Sequence, residues 1–171
     1  LFVDLVYKKF NKIDILINNA GIQLNKKFEL IEVSNYIKII ENNLSSYFFF
    51  SNFAGKYMIK KKGGIIINIS SVLSKFPLVG RSLYSISKAG VDALTRSTAL
   101  EWSKYNIVCN SINPGHIETD LIRKDIKKGL IKNSEMKKRS VVGKIGTVDN
   151  ISNFVYYLIK KNSAYQTGQS F

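Results

Sequence analysis

Ser71, Tyr84 and Lys88, in the stretch NISSVLSKFPLVGRSLYSISKAG, have the types and spacing for proton transfer. Tyr84 and Lys88 are four apart, so on a helix they share one face, one turn apart. An ammonium beside a phenol favours the phenolate and lowers its pKa. A group that ordinarily titrates at about 10 is thereby brought toward exchange near neutral pH. A serine hydroxyl on a nearby loop is suited to hold the oxygen that receives the proton. The expected chemistry is proton transfer to or from a carbonyl or an alcohol.

Spacing alone does not single these residues out. Tyr-x-x-x-Lys occurs four times: Tyr57/Lys61, Tyr84/Lys88, Tyr156/Lys160 and Tyr157/Lys161. A lysine-rich chain produces such pairs by chance, usually as a solvated helix face with the ring packed inward. Only Tyr84 has a serine thirteen residues upstream, at the end of an apolar run; the other tyrosines have Leu44, Gly143 and Lys144 there.

The elements that must position them follow from periodicity. Residues 1–11 alternate as the end of an amphipathic helix. IDILIN (13–18) is the profile of a buried parallel strand. A helical region covers about 34–62, with Ser34 as its N-cap and Gly63-Gly64 as its stop. IIINIS (65–70) is a second buried strand, and a helix over about 82–105 carries Tyr84 and Lys88. IVCNSI (107–112) is a third strand, ended by Pro114-Gly115. Residues 118–140 alternate as helix, and 148–161 form another. Strand–helix–strand–helix–strand with buried strands means α/β with a parallel sheet.

Composition narrows the classes. The 171 residues suffice for one domain with a core, and 45% apolar content supports a globular one. One cysteine excludes an internal disulfide, and one histidine with one cysteine makes no zinc set, so no metal is expected. Cys109 reads as inert core. No apolar run reaches membrane-span length and no signal peptide pattern opens the chain, so a cytoplasmic, non-membrane protein is expected. The net charge of +14 rests on 22 lysines against four arginines, scattered rather than clustered, which suits biased codon usage better than nucleic-acid binding.

With NNAG (18–21), Asn43 in ENNLSS, Ser71, Tyr84-x-x-x-Lys88 and NPGHIET (113–119) in order, the chain resembles the short-chain dehydrogenase/reductases over essentially its whole length. The resemblance implies a Rossmann-like doubly wound parallel sheet and an NAD- or NADP-dependent oxidoreductase interconverting a carbonyl and a secondary alcohol. It implies Tyr84 as general acid/base, Lys88 as the residue that lowers its pKa and bonds the nicotinamide ribose, and Ser71 as the group that orients the substrate oxygen. Asn43 would hold a relay water, Asn19, Ala20 and Gly21 would line the cofactor side of the sheet, and Pro114, Gly115, Ile117 and Thr119 would cradle the nicotinamide end. The family's substrates divide here. ENNLSSYF and PGHIETDL lean to 3-oxoacyl-acyl-carrier-protein reductases, whose acidic carrier Lys62 and Lys104 could meet, whereas NAGIQLNKKF and LEWSKYNI lean to gluconate and polyol dehydrogenases. A homo-oligomer, dimer or tetramer, is expected through apolar residues on second faces of the two long helices (Phe48, Phe49, Phe50, Phe53; Val91, Leu94, Leu100, Trp102). Residues 118–140 would be a substrate lid.

Alternatives stay open at several positions. Asn18 and Asn19 suit a strand-end turn, Pro114-Gly115 an ordinary turn, and Asn43 a bend in its helix. Ser70 adjoins Ser71, and only spacing favours the latter. His116, the sole histidine, reads as a substrate-side or surface residue. A non-catalytic, cofactor-sensing or scaffold protein on the same fold is the alternative function. The family's TGxxxGxG phosphate turn is not in this sequence, which opens on Leu1 and stops at AYQTGQSF. The expectation is a single partial domain, 1–171, without its first three strands and most of the last, poorly soluble alone and unable to bind the dinucleotide.

Overall fold

The computed structural model describes residues 2–127, 129, 132–161 and 164–171. The chain divides into two compact units, Leu1–Asn113 with Lys161–Phe171, and Pro114–Lys160.

The first unit is a three-stranded parallel sheet, β1 (Ile15–Asn18), β2 (Gly64–Ile69) and β3 (Ile107–Ile112), ordered β1-β2-β3. Register is set by Ile15 opposite Ile65 and Ile65 opposite Val108. Parallel neighbours need crossovers, here made by helices. Helix α1 (Phe2–Phe10) precedes β1. Helices α2 (Val33–Ile40) and α3 (Ser46–Lys61) lie between β1 and β2, and α4 (Ser82–Trp102) between β2 and β3. Val3, Ala54, Met58, Ile66, Ala99, Ile107 and Cys109 form one core between these helices and a face of the sheet. Cys109 is fully buried, and burial pushes its thiol up to about 12, as inert core requires.

Several expectations are corrected. β1 is not buried on both faces: Ile15 is 42% and Ile17 45% exposed, because the face that these alternate residues line is left largely uncovered by the described residues. The N-cap of α2 is Glu32 rather than Ser34. Glu32 and Asn35 make a reciprocal capping box, and Lys26 binds both side chains, holding the Glu32 carboxyl below its usual range. The region 34–62 is not one continuous α-helix; a π-helical turn over Glu41–Ser45 separates α2 from α3. It ends in left-handed Lys62, φ +60°, one residue before the expected glycines. Of the apolar residues assigned to second helix faces, Phe48, Phe49, Phe50 and Leu100 are exposed. Val91 is buried, and Trp102 lies against Gly55 of α3.

Residues 168–171 run along the outer edge of β3. Gly168 N donates to the Cys109 carbonyl at 2.8 Å, Phe171 N to Ser111 at 3.0 Å and Asn113 N to Phe171 at 2.7 Å. Ser111 and Ser170 make a parallel bridge.

The second unit holds α5 (Asp120–Lys127), α6 (Asn133–Lys138) and α7 (Val148–Lys161), the last ending at the unit boundary. Of the segment 118–140, residues 128, 130 and 131 lie outside the described set. Among the described residues no helix is long and apolar enough to cross a membrane, and no cluster of ligands suits a metal.

Candidate active site

Ser71 follows β2 in extended backbone, φ −165° and ψ 151°, and caps the 3-10 turn Val72–Ser74, its hydroxyl accepting from Leu73 N at 3.1 Å. The chain then turns at Gly80, which is at φ +75° and where a Cβ would sit 2.4 Å from Asn25 Oδ1. Only glycine suits that site. Helix α4 begins two residues later and carries Tyr84 and Lys88 inward on one face.

Lys88 is 3% exposed. Its ammonium donates to the Ile69 carbonyl at 2.7 Å and to the Tyr47 hydroxyl at 3.4 Å. It also lies over two rings, 4.9 Å from the centroid of Tyr47 and 5.8 Å from that of Tyr84. Burial pushes its pKa down to about 8, with the charge of Asp92 opposing.

Tyr84 does not follow the expected direction. Its pKa is raised, because burial of the phenol outweighs the hydrogen bond from Ser71 and the charge of Arg81, which both act to lower it. Lys88 approaches the ring face rather than the hydroxyl, so adjacency on the helix does not by itself make a phenolate. A phenol held protonated is a proton donor.

The structure separates the two serines. Ser70 Oγ donates to the Lys88 backbone carbonyl at 3.1 Å and its N to the Ile112 carbonyl at 2.8 Å, which spends it on joining α4, β2 and β3. Ser71 Oγ faces Tyr84.

Asn43 is fully buried inside the π turn. Its Oδ1 accepts from Ile22 N at 2.8 Å; its Nδ2 donates to the Ile22 carbonyl at 2.9 Å and to Ser87 Oγ at 3.1 Å. It thus binds the backbone after β1 to α4. Asn18 is buried and structural, donating to Asn68 Oδ1 at 2.8 Å and Ser51 Oγ at 3.1 Å. Asn19, Ala20 and Gly21 are exposed along the strand's carboxyl end. A Cβ on Gly21 would lie 3.4 Å from Asn43 Oδ1 and 3.6 Å from Lys88 Nζ, so this backbone borders the ammonium.

The structure therefore brings together Gly21, Asn43, Ser71, Tyr84 and Lys88. Pro114, Gly115, Ile117 and Thr119 belong to the second unit. There Ile117 bridges Gly146, Thr119 Oγ1 accepts from Ile122 N at 3.3 Å at the start of α5, and the His116 carbonyl accepts from Gly146 N at 2.9 Å. The other three Tyr-x-x-x-Lys pairs lie elsewhere, Tyr57 half-buried against the core and the other two tyrosines exposed. Tyr57 donates to Asp4 at 2.7 Å and Lys61 pairs with Asp14, while Tyr156 and Tyr157 are exposed on α7.

Tyr47, in direct contact with Lys88, escaped the sequence reading; its signal is its place four residues after Asn43. Asp92 and Asn113 also escaped it. Asp92 is one turn past Lys88 and buried, and Asn113 Nδ2 donates to it at 2.9 Å and to the Ser71 carbonyl at 3.2 Å.

A short-chain dehydrogenase/reductase family model, described as enoyl-(acyl carrier protein) reductase, matches residues 2–171. The chain belongs to the short-chain dehydrogenase/reductase family. It is 34% identical over 165 residues to the 3-oxoacyl-[acyl-carrier-protein] reductase FabG of Chlamydia pneumoniae, covering 95% of this chain and 64% of that protein. It is 37% identical over 157 residues to the 2-dehydro-3-deoxy-D-gluconate 5-dehydrogenase of Bacillus subtilis, covering 92% and 61%. Among solved structures, a gluconate 5-dehydrogenase from Burkholderia cenocepacia in complex with NADP and tartrate superposes with a TM-score of 0.92 at 30% identity, over 99% of this chain and 66% of that one. ElxO with NADP bound gives 0.94 at 29%, over 99% and 69%. The chain thus spans somewhat under two thirds of the length of these two curated relatives. The α/β parallel-sheet expectation and the family resemblance both hold.

Proposed function

We propose that this chain is the catalytic portion of an NAD(P)-dependent oxidoreductase that interconverts a carbonyl and a secondary alcohol. The observation that carries the reading is the convergence of Ser71, Tyr84 and Lys88: a phenol whose pKa burial raises and the Ser71 hydroxyl acts to lower, with a buried ammonium over its ring. In this reading Tyr84 Oη gives its proton to the substrate oxygen in reduction and takes it back in oxidation. Ser71 Oγ orients that oxygen. Lys88, held by the Ile69 carbonyl and Tyr47, supplies positive charge beside the phenol, where negative charge develops as the proton leaves.

The residues present fit the nicotinamide end of the cofactor. Two of the three Lys88 donors have partners, the third is left for a hydroxyl, and the exposed backbone of Asn19–Gly21 borders the same ammonium. Asn19, Ala20, Gly21, Tyr84 and Lys88 would hold that end. The bound nicotinamide supplies or accepts the hydride. NADP is favoured by the two neighbouring structures that hold it.

The substrate is a 3-oxoacyl thioester, presented on acyl carrier protein, or a sugar acid or polyol; named relatives of both kinds support this pair. The exposed Phe48, Phe49 and Phe50 support a working oligomer. Full-length protein is assayed with NADPH and NADH on an acetoacetyl thioester and on gluconate. One substrate is turned over, and Tyr84→Phe lowers kcat by about 10²–10⁴-fold with the fold intact. Cofactor binding without turnover across a broad carbonyl panel would instead establish the non-catalytic alternative.

A further inference from the structure

Asp92 is the only buried carboxylate among the described residues, 4% exposed and one turn beyond Lys88 on α4. No cation pairs with it within salt-bridge distance among the described residues; its oxygens are met by hydrogen bonds, and the Lys88 ammonium acts on its charge only from longer range. Oδ2 accepts from Ser74 Oγ at 2.6 Å and Asn113 Nδ2 at 2.9 Å, and Oδ1 from Ser111 Oγ at 3.0 Å. Charge-assisted bonds of this kind are short and directional. Taking a carboxylate out of water is costly, and an apolar side chain would fill a helix position without that cost.

Its partners converge on one place. Ser74 N donates to the Ser71 carbonyl at 3.0 Å, and Asn113 Nδ2 donates to the same carbonyl at 3.2 Å. Asn113 Nδ2 also lies 2.9 Å from Ser74 Oγ. Both residues that grip the Ser71 carbonyl are thus fastened to Asp92. At its other end the Ser71 hydroxyl, which accepts from Leu73 N at 3.1 Å, acts on the Tyr84 phenol one turn before Lys88. We propose that Asp92 is a positioning residue that fixes Ser71 against Tyr84 through Ser74 and Asn113. The proposal rests on the role given to Ser71 above.

The test is a double-mutant cycle in full-length protein, Asp92→Asn against Ser71→Ala, reading kcat and KM on the substrate turned over. In otherwise unchanged protein Asp92→Asn lowers kcat by about tenfold to a hundredfold, the scale of a misplaced catalytic group, with KM little changed. In the Ser71→Ala background it costs less than about twofold, because the positioned group is gone. Equal losses in both backgrounds overturn the proposal. Should circular dichroism show Asp92→Asn unfolded, Ser74→Ala takes its place, with the same two outcomes. A second arm needs no turnover. The carbon-13 signal of Tyr84 Cζ, assigned with Tyr84→Phe, is titrated in both proteins. Ser71, Arg81, Lys88 and Tyr47 all face this phenol. Losing the Asp92 charge alone would lower the midpoint, whereas losing the Ser71 bond raises it, so an upward shift supports positioning and a downward or absent one refutes it. An upward shift in a protein that reduces no carbonyl leaves the positioning role standing and removes the oxidoreductase reading. Turnover without coupling between Asp92 and Ser71 does the reverse.

Discussion

Replacing Asn43 by alanine separates a residue that holds a relay water from one that holds the backbone. The structure gives its amide three hydrogen bonds, two to the main chain of Ile22 and one to Ser87, all made from a fully buried side chain. At about 1 kcal/mol each, their loss costs about 3 kcal/mol, more if Ile22 stays dry and unpaired. For a domain of this size that lowers Tm by roughly 6–12 °C. Thermal and urea unfolding of full-length Asn43→Ala read this directly, and kcat falls as well because the backbone bordering Lys88 loses its anchor. A loss of stability below about 1 kcal/mol, with kcat still reduced, would refute the structural reading and return Asn43 to a purely catalytic role. Asn43→Asp adds a sign. Its carboxylate would face the Ile22 carbonyl without a proton to donate, so its folded pKa lies above the unfolded value. The variant then loses stability as pH rises from about 4 through that raised pKa, a slope the natural protein lacks there.

Lys88 titrates near 8 when folded and at its ordinary 10.5 when unfolded. The unfolded chain therefore binds the extra proton across that window, and stability rises with pH through it. Lys88→Met removes the rise, and urea titrations of the two proteins at matched pH values show it; parallel curves would contradict the burial argument. At Gly55 a Cβ would sit 2.2 Å from the Trp102 ring. Helix propensity alone predicts that Gly55→Ala stabilises by about 1 kcal/mol, but overpacking costs about 1–3 kcal/mol, so net destabilisation is expected in denaturant melts, and Trp102→Leu should restore it. Ser70→Ala should cost about 1 kcal/mol of stability and keep most of the turnover. Ser71→Ala should do the opposite, and interchanged phenotypes would reverse the assignment.

What the sequence made legible was whatever rests on local pattern or ordered motifs. Strand 107–112 and helix 148–161 match to the residue, because left-handed Asn106 and the run into Pro114 bound one and the apolar period defines the other. Ser71 was separable from Ser70 by spacing, and the structure shows what the spacing separates: Ser70 bonds the backbone of α4 at Lys88, whereas Ser71 caps the following 3-10 turn and acts on the Tyr84 phenol. Depth was not legible. Nothing in Tyr84-x-x-x-Lys88 says how far each group is buried, and burial decides both pKa directions. The Glu32–Asn35 box was missed because glutamate is an unusual cap and needed Lys26 from the preceding loop. The Asp92 network joins residues up to 42 positions apart, beyond any periodicity.

The two edges of the sheet differ. Beyond β3 the backbone groups are taken by residues 168–171, whereas beyond β1 no described residue pairs with Ile15–Asn18. The β1 edge is thus open among the described residues, while that of β3 is already paired. A further strand paired with β1 would run beside the residues that lead into Asn19–Gly21, and so would set the position of the exposed backbone that borders the Lys88 ammonium.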